Sequence, residues 1–193
     1  MQTQWLRPIA LIGMPGGGKS TVGRQLARLL NAQFVDSDNE IERRIGCSIR
    51  AFFERDGEAA FREVEHTVLT ELTGRRGTVL ATGGGVVLRE ANRLSLHEHT
   101  HVVYLRSTPE ELFRRLRHDT RRPLLQVADP LRKLRQLYAE RDPFYRQTAH
   151  FIIETGRPSV ATLVNMILMQ LELAGVIDPN QVPPSVSTLP GVV

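Results

Sequence analysis

Residues 13 to 20 read GMPGGGKS, a glycine-rich stretch closed by Lys19 and Ser20. The spacing G-x-x-x-x-G-K-S is that of a phosphate cradle. Its glycines let backbone amides turn inward around phosphate oxygens, and a helix starting at Lys19 and Ser20 aims its positive end at them. Lys19 is placed to reach the β and γ phosphates of a nucleoside triphosphate, and the Ser20 hydroxyl to ligate magnesium. Gly13, Pro15, Gly16, Gly17, Gly18 and Thr21 complete the expected nucleotide-contacting set. A second constellation lies in FVDSDNE, residues 34 to 40, where Asp36 and Asp38 stand two positions apart. On an extended segment such residues point the same way. Like charges that close raise each other's ionisation cost unless a cation or donor intervenes.

These residues need elements to position them. RPIALIG (7 to 13) reads as a strand, and STVGRQLARLL (20 to 30) as a helix with Val22, Leu26, Leu29 and Leu30 on one face. AQFVD is a second strand, followed by helical patterns over about 39 to 45, 48 to 55 and 58 to 73, broken at Gly46 and Gly57. TVLAT (78 to 82) is a third strand running into Gly83, Gly84 and Gly85, and a helix near 89 to 96 precedes a fourth at HVVYL (101 to 105). TPEELFRRLRH starts a helix with threonine before proline. A polar, proline-broken loop follows over 118 to 129, then a helix near 130 to 141, a fifth strand at HFIIE and a last helix at about 158 to 173. Such alternation predicts an α/β fold, a parallel five-stranded sheet with helices on both faces and ligands at the carboxyl ends of the strands. Residues 1 to 175 read as one domain, and the proline-rich 176 to 193 as a disordered tail.

Many ATP-binding proteins with this loop end the third strand with a metal-holding aspartate, yet here it ends in Thr82. The carboxylate for magnesium is then expected from Asp36, through water. Asp38, one pleat further on, is expected to face the phosphoryl acceptor, whose hydroxyl needs a base within hydrogen-bond reach. On spacing alone the pair also reads as capping acids before a helix at Asn39.

The bulk numbers agree with an ordinary globular protein of 193 residues, 41% apolar and 24% charged. No apolar run reaches spanning length and no secretory signal opens the chain, so the expectation is a cytoplasmic protein without a membrane partner. The single Cys47 agrees with a reducing compartment. A net charge of +4 invites a nucleic-acid reading. The arginines, however, alternate with acids in segments such as EIERR and YAERD, the pattern of a solvated ion-paired surface. HEHTH (97 to 101) offers three histidines at alternate positions but no cysteine or carboxylate partner, so a metal role there is not expected.

In order and spacing, GMPGGGKS, DSDNEIERRIG, DGEAAFREVE, TGGGVV, RRPLL and RDPFY resemble the shikimate kinase family, from about residue 9 to residue 170. The resemblance implies a P-loop kinase fold and transfer of the γ-phosphoryl group of ATP to the 3-hydroxyl of shikimate, with magnesium. It implies a helical acceptor-binding segment at about 37 to 66 and a mobile lid at about 117 to 129. By the same matching, Arg62 and Arg141 clamp the acceptor carboxylate, since guanidinium forks meet carboxylates with paired hydrogen bonds. Asp38 binds the hydroxyls and is the base. Gly83, Gly84 and Gly85 let substrate lie against the backbone, with Gly84 donating its amide. Glu65, three residues after Arg62, orients that arginine. Arg122 in RRPLL is the lid arginine and joins Asp38 and Lys19 as catalytic. Arg115 and Arg157 match positions near adenine, where TGRPSV is a residue shorter than in some relatives. Phe144 stands where leucine is commoner and is expected to be neutral. A monomer is expected. The alternatives are a kinase of another polyol such as gluconate, and a nucleotide-binding module without catalysis.

Overall fold

The computed structural model describes residues 7–118, 126–178 and 180. Among them, β1 (Ile9–Ile12), β2 (Gln33–Asp36), β3 (Thr78–Ala81), β4 (His101–Arg106) and β5 (Phe151–Glu154) form one parallel sheet in the order β2-β3-β1-β4-β5. The central strand β1 is wholly apolar because both its faces are covered. Ile9 and Leu11 point into a core with α1 (Lys19–Leu29) and α7 (Val160–Leu173). Ala10 and Ile12 point into the other core, with α3 (Ile49–Leu72), α4 (Glu90–His99) and α6 (Pro130–Thr148). The two remaining helices are α2 (Ser37–Ile45) and α5 (Pro109–Leu116). Parallel strands all end on the same side, so the loops after β1, β2 and β3 converge there.

The predicted α/β architecture and strand set are therefore present. The break expected at Gly57 is there: at φ 84° and ψ 173° this residue leaves helical geometry and divides α3 into two helical stretches. Two expectations differ for physical reasons. The helix expected to end near 141 continues to Thr148 through Pro143. Pro143 cannot donate to the preceding turn, a cost of about 3 kcal/mol in a free helix. Tyr145 and Thr148, buried on its far side, help to offset that penalty. The histidine run is split: His97 and His99 belong to α4 and His101 to β4, so they do not share a strand face. His97 stacks on His150 at 4.3 Å, and no group of three metal-ligating side chains forms among the described residues. Most of the expected lid, with Arg122, and residues 181–193 of the expected tail lie outside the described residues. Among those described, no helix is long and apolar enough to cross a membrane.

Candidate active site

The phosphate loop connects β1 to α1. Gly18 caps α1 in the left-handed region at φ 88°, which leaves the first helical amides pointing into the loop. Gly13 and Gly17 lie behind it: a Cβ on Gly13 would stand 2.6 Å from the Leu105 carbonyl, and one on Gly17 3.0 Å from that of Met14. Lys19 is buried, and its Nζ donates to the Gly13 and Met14 carbonyls at 2.8 and 2.9 Å, folding back across the loop. Pro15, Gly16, Gly18, Lys19, Ser20 and Thr21 line one side of a cavity of about 420 Å³, completed by Asp36, Asp38, Thr82, Gly83, Gly84 and Leu116.

Asp36 and Asp38 meet at that cavity, though not by strand pleating. Asp36 ends β2 and caps α2, its Oδ1 accepting from the Asp38 and Asn39 amides at 3.0 and 3.3 Å. Asp38 therefore sits in the first helical turn, where the predicted extended spacing does not apply. A helix start can turn a chain as sharply as a loop, and capping by Asp36 sets the direction. Asp36 Oδ2 accepts from the Ser20 hydroxyl at 2.7 Å. Thr82, just past β3, donates its hydroxyl to the Leu11 carbonyl and holds the strand ends together.

Burial pushes the Asp38 carboxyl up to about 6, helped by Asp36, Glu65 and Glu42 and opposed by Lys19. That value leaves it ionised at neutral pH and able to accept a proton.

The turn after β3 gathers the remaining groups. A Cβ on Gly83 would stand 2.7 Å from Asp38 Oδ1, on Gly84 2.7 Å from the Pro15 ring, and on Gly85 2.6 Å from the Arg62 guanidinium. The carboxylate, the phosphate loop and a guanidinium each pack against one of the three glycines, and the Pro15 ring at Gly84 is the neighbour least able to give way. The Gly83 amide donates to the buried Ser37 hydroxyl at 3.1 Å, fastening this turn to the start of α2. Arg62 donates to Glu65 at 2.9 Å and to Glu58 at 3.2 Å, so the expected orienting contact from Glu65 is present. Burial raises the Glu65 carboxyl, while Arg62 and Arg141 both pull it down. Arg141 belongs to α6, and its Nε is buried without a hydrogen-bond partner among the described residues.

Arg115 sits beyond the cavity wall, donating to the Thr155 carbonyl at 2.7 Å and towards Ser107 at 3.4 Å. Arg157 is exposed in the bend after β5. Leu116, not anticipated from the sequence, lines the cavity and packs under Gly16, where a Cβ would meet it at 2.6 Å. Its place on the apolar face of α5 reads as core, and nothing local distinguishes it. Ser37 and Tyr145 also escaped the sequence reading.

The family model for shikimate kinase matches residues 15–172. The chain is 59% identical over 175 residues to the shikimate kinase of Paracidovorax citrulli, covering 89% of this chain and 96% of that one. It is 52% identical over 180 residues to that of Ralstonia nicotianae, covering 93% of each. Among solved structures, shikimate kinase from Acinetobacter baumannii in complex with shikimate superposes with TM-score 0.82 at 48% identity, over 88% of this chain and 94% of that one. A gluconokinase from Sinorhizobium meliloti shares the fold at TM-score 0.56 and 18% identity, over 89% of this chain and 94% of that one.

Proposed function

The chain belongs to the shikimate kinase family, and from that premise we propose that it transfers the γ-phosphoryl group of ATP to the 3-hydroxyl of shikimate, giving shikimate 3-phosphate and ADP in chorismate and aromatic amino acid biosynthesis. The observation that carries this reading is that Asp38 shares one cavity with Lys19, Ser20 and the Gly83–Gly84 backbone. A base and a phosphate cradle thus face one space.

In this reading the loop amides and Lys19 hold the phosphates, and Lys19 exchanges its carbonyl partners for phosphate oxygens. Arg62 and Arg141 take the acceptor carboxylate between them, and the buried Arg141 Nε favours an anionic partner. The Gly84 amide and Asp38 take hydroxyls. Asp38 accepts the 3-hydroxyl proton as that oxygen bonds to the γ-phosphorus and the bond to the ADP oxygen breaks. Holding the two substrates in line supplies most of the acceleration.

The Ser20 hydroxyl and Asp36 carboxylate, paired at the cavity wall, are hard oxygen donors that suit magnesium. Ser20 would hold it directly and Asp36 through water. Bound there, magnesium neutralises phosphate charge. Arg115 and Arg157 take the adenine end, Arg122 and the segment at about 117 to 129 act as lid, and about 37 to 66 as the acceptor-binding segment. The same reading takes the enzyme as a monomer. The lone Cys47 supports a cytoplasmic enzyme.

A coupled assay comparing shikimate, quinate and gluconate tests the reading. Turnover of shikimate well above the other two is expected, and none on shikimate would overturn it.

A further inference from the structure

Tyr145 is fully buried on α6, one helical turn beyond Arg141 and on the same face. Its hydroxyl donates to the Gly84 carbonyl at 2.6 Å, across 61 positions of sequence. The peptide it grips joins Gly84 to Gly85, the two glycines pressed by Pro15 and Arg62. A glycine turn has wide backbone freedom, and this contact joins the Gly83–Ser37 bond and the turn's own backbone bonds in setting which way its peptides face. The neighbouring residue Asp142 anchors the same helix elsewhere. Its carboxylate accepts from the Tyr104 hydroxyl at 2.8 Å and Arg106 Nε at 3.3 Å, both on β4, and pairs with Arg146 at 2.8 Å. The Tyr104 ring in turn packs on Tyr145 at 4.9 Å between centroids. Arg141 is thus flanked by two fixed points, one on the sheet and one on the glycine turn.

We propose that Tyr145 is a positioning residue for the acceptor site: its hydroxyl fixes the Gly84–Gly85 peptide, which adjoins the Gly84 amide, and, through the helix it shares with Arg141, sets where that guanidinium stands relative to the turn. The role rests on the reading of Arg141 and Gly84 as acceptor contacts. Tyr145 itself touches no reacting atom. It acts by keeping two groups from different segments at a fixed separation, so that the acceptor does not have to order them on binding.

Tyr145→Phe keeps the ring and its packing and removes only the hydroxyl, which donates to the Gly84 carbonyl and also interacts with the Arg141 guanidinium. Kinetics with shikimate and ATP varied separately, on this variant, on Arg141→Lys and on the double variant, test the proposal. Tyr145→Phe should raise the shikimate KM roughly threefold to tenfold, the worth of one hydrogen bond, with the ATP KM unchanged. The double variant should fall short of the product of the singles, since both act on one guanidinium. A fall in kcat alone with both KM values unchanged, which is what mere loss of folded enzyme would give, overturns the proposal. So do single effects that multiply in full. If Arg141→Lys raises the shikimate KM and Tyr145→Phe does not, the positioning role falls while the guanidinium clamp stands. If Arg141→Lys leaves it unchanged, the clamp itself fails, and the positioning role with it.

Discussion

Around the phosphate loop the functional side chains have protein partners close by in sequence or on the adjoining strand end: Lys19 holds the Gly13 and Met14 carbonyls, and Ser20 holds Asp36. Around the Gly83–Gly85 turn the polar groups come from α2, α3 and α6, and several are held at an electrostatic cost. Asp38 is raised to about 6, Glu65 is raised by burial, and Arg141 Nε is buried without an acceptor among the described residues. The loop side is a local motif that folds with its own strand and helix. The acceptor side is assembled across the fold, and its tension is what a reactive site needs, because groups already satisfied by protein gain little from substrate.

The sharpest way to break this contrast is Asp38→Asn. It removes the proton acceptor while leaving the loop intact, so kcat should fall by about 10²–10⁴-fold, with ATP affinity by calorimetry nearly unchanged. Near-normal turnover would remove the base assignment. The same substitution should stabilise the folded protein. The folded Asp38 carboxyl titrates near 6 against an ordinary 3.8, so between these values the native state keeps a proton that the unfolded chain has lost. Its contribution is therefore present below pH 3.8 and lost as pH rises through about 6. At neutral pH that loss is on the order of 3 kcal/mol, and Asp38→Asn should restore it, raising Tm by about 6–12 °C. Melts at pH 7 and pH 4.5 check this: the gain should shrink at the lower pH. An equal gain at both would mean that the carboxylate is not under strain.

The same contrast explains what the sequence made legible. GMPGGGKS announces itself because eight consecutive residues carry the whole geometry, and the alternation of strands and helices gives the sheet directly. Asp36 and Asp38 line one cavity, though not by pleating. Period-two spacing needs a strand through residue 38, whereas Asp36 spends its Oδ1 on capping α2, the alternative that the spacing also offers. The turn at Gly83–Gly85 was readable only through family resemblance, since nothing in the string TGGGVV tells which side chains will press on it. Tyr145 and Ser37 were invisible for the same reason: their partners, Gly84 and Gly83, lie 61 and 46 positions away. A proline in α6 hid the helical continuation that carries Tyr145.

Arg141→Lys tests the acceptor side with a smaller expected effect. A lysine keeps the charge but replaces a planar fork with a point donor, so one of two parallel bonds to a carboxylate is lost. The apparent shikimate constant should rise about tenfold, with the ATP constant unmoved. A change confined to ATP would place this guanidinium on the wrong side of the site.

The smallest effect belongs to Arg115. Its guanidinium grips the Thr155 carbonyl at 2.7 Å and reaches Ser107, tying α5 to the bend after β5. Because its donors are already engaged by protein, little of its binding capacity remains for a nucleotide, and Arg115→Lys should raise the ATP constant only about twofold to threefold. The same α5 carries Leu116 beneath Gly16, so any loosening of the helix is transmitted to the phosphate loop before it reaches the glycine turn. The shikimate constant should therefore stay fixed in steady-state kinetics. If it rises together with the ATP constant, the two sides are mechanically one unit, and the division between a satisfied loop and a tensioned acceptor site would have to be given up.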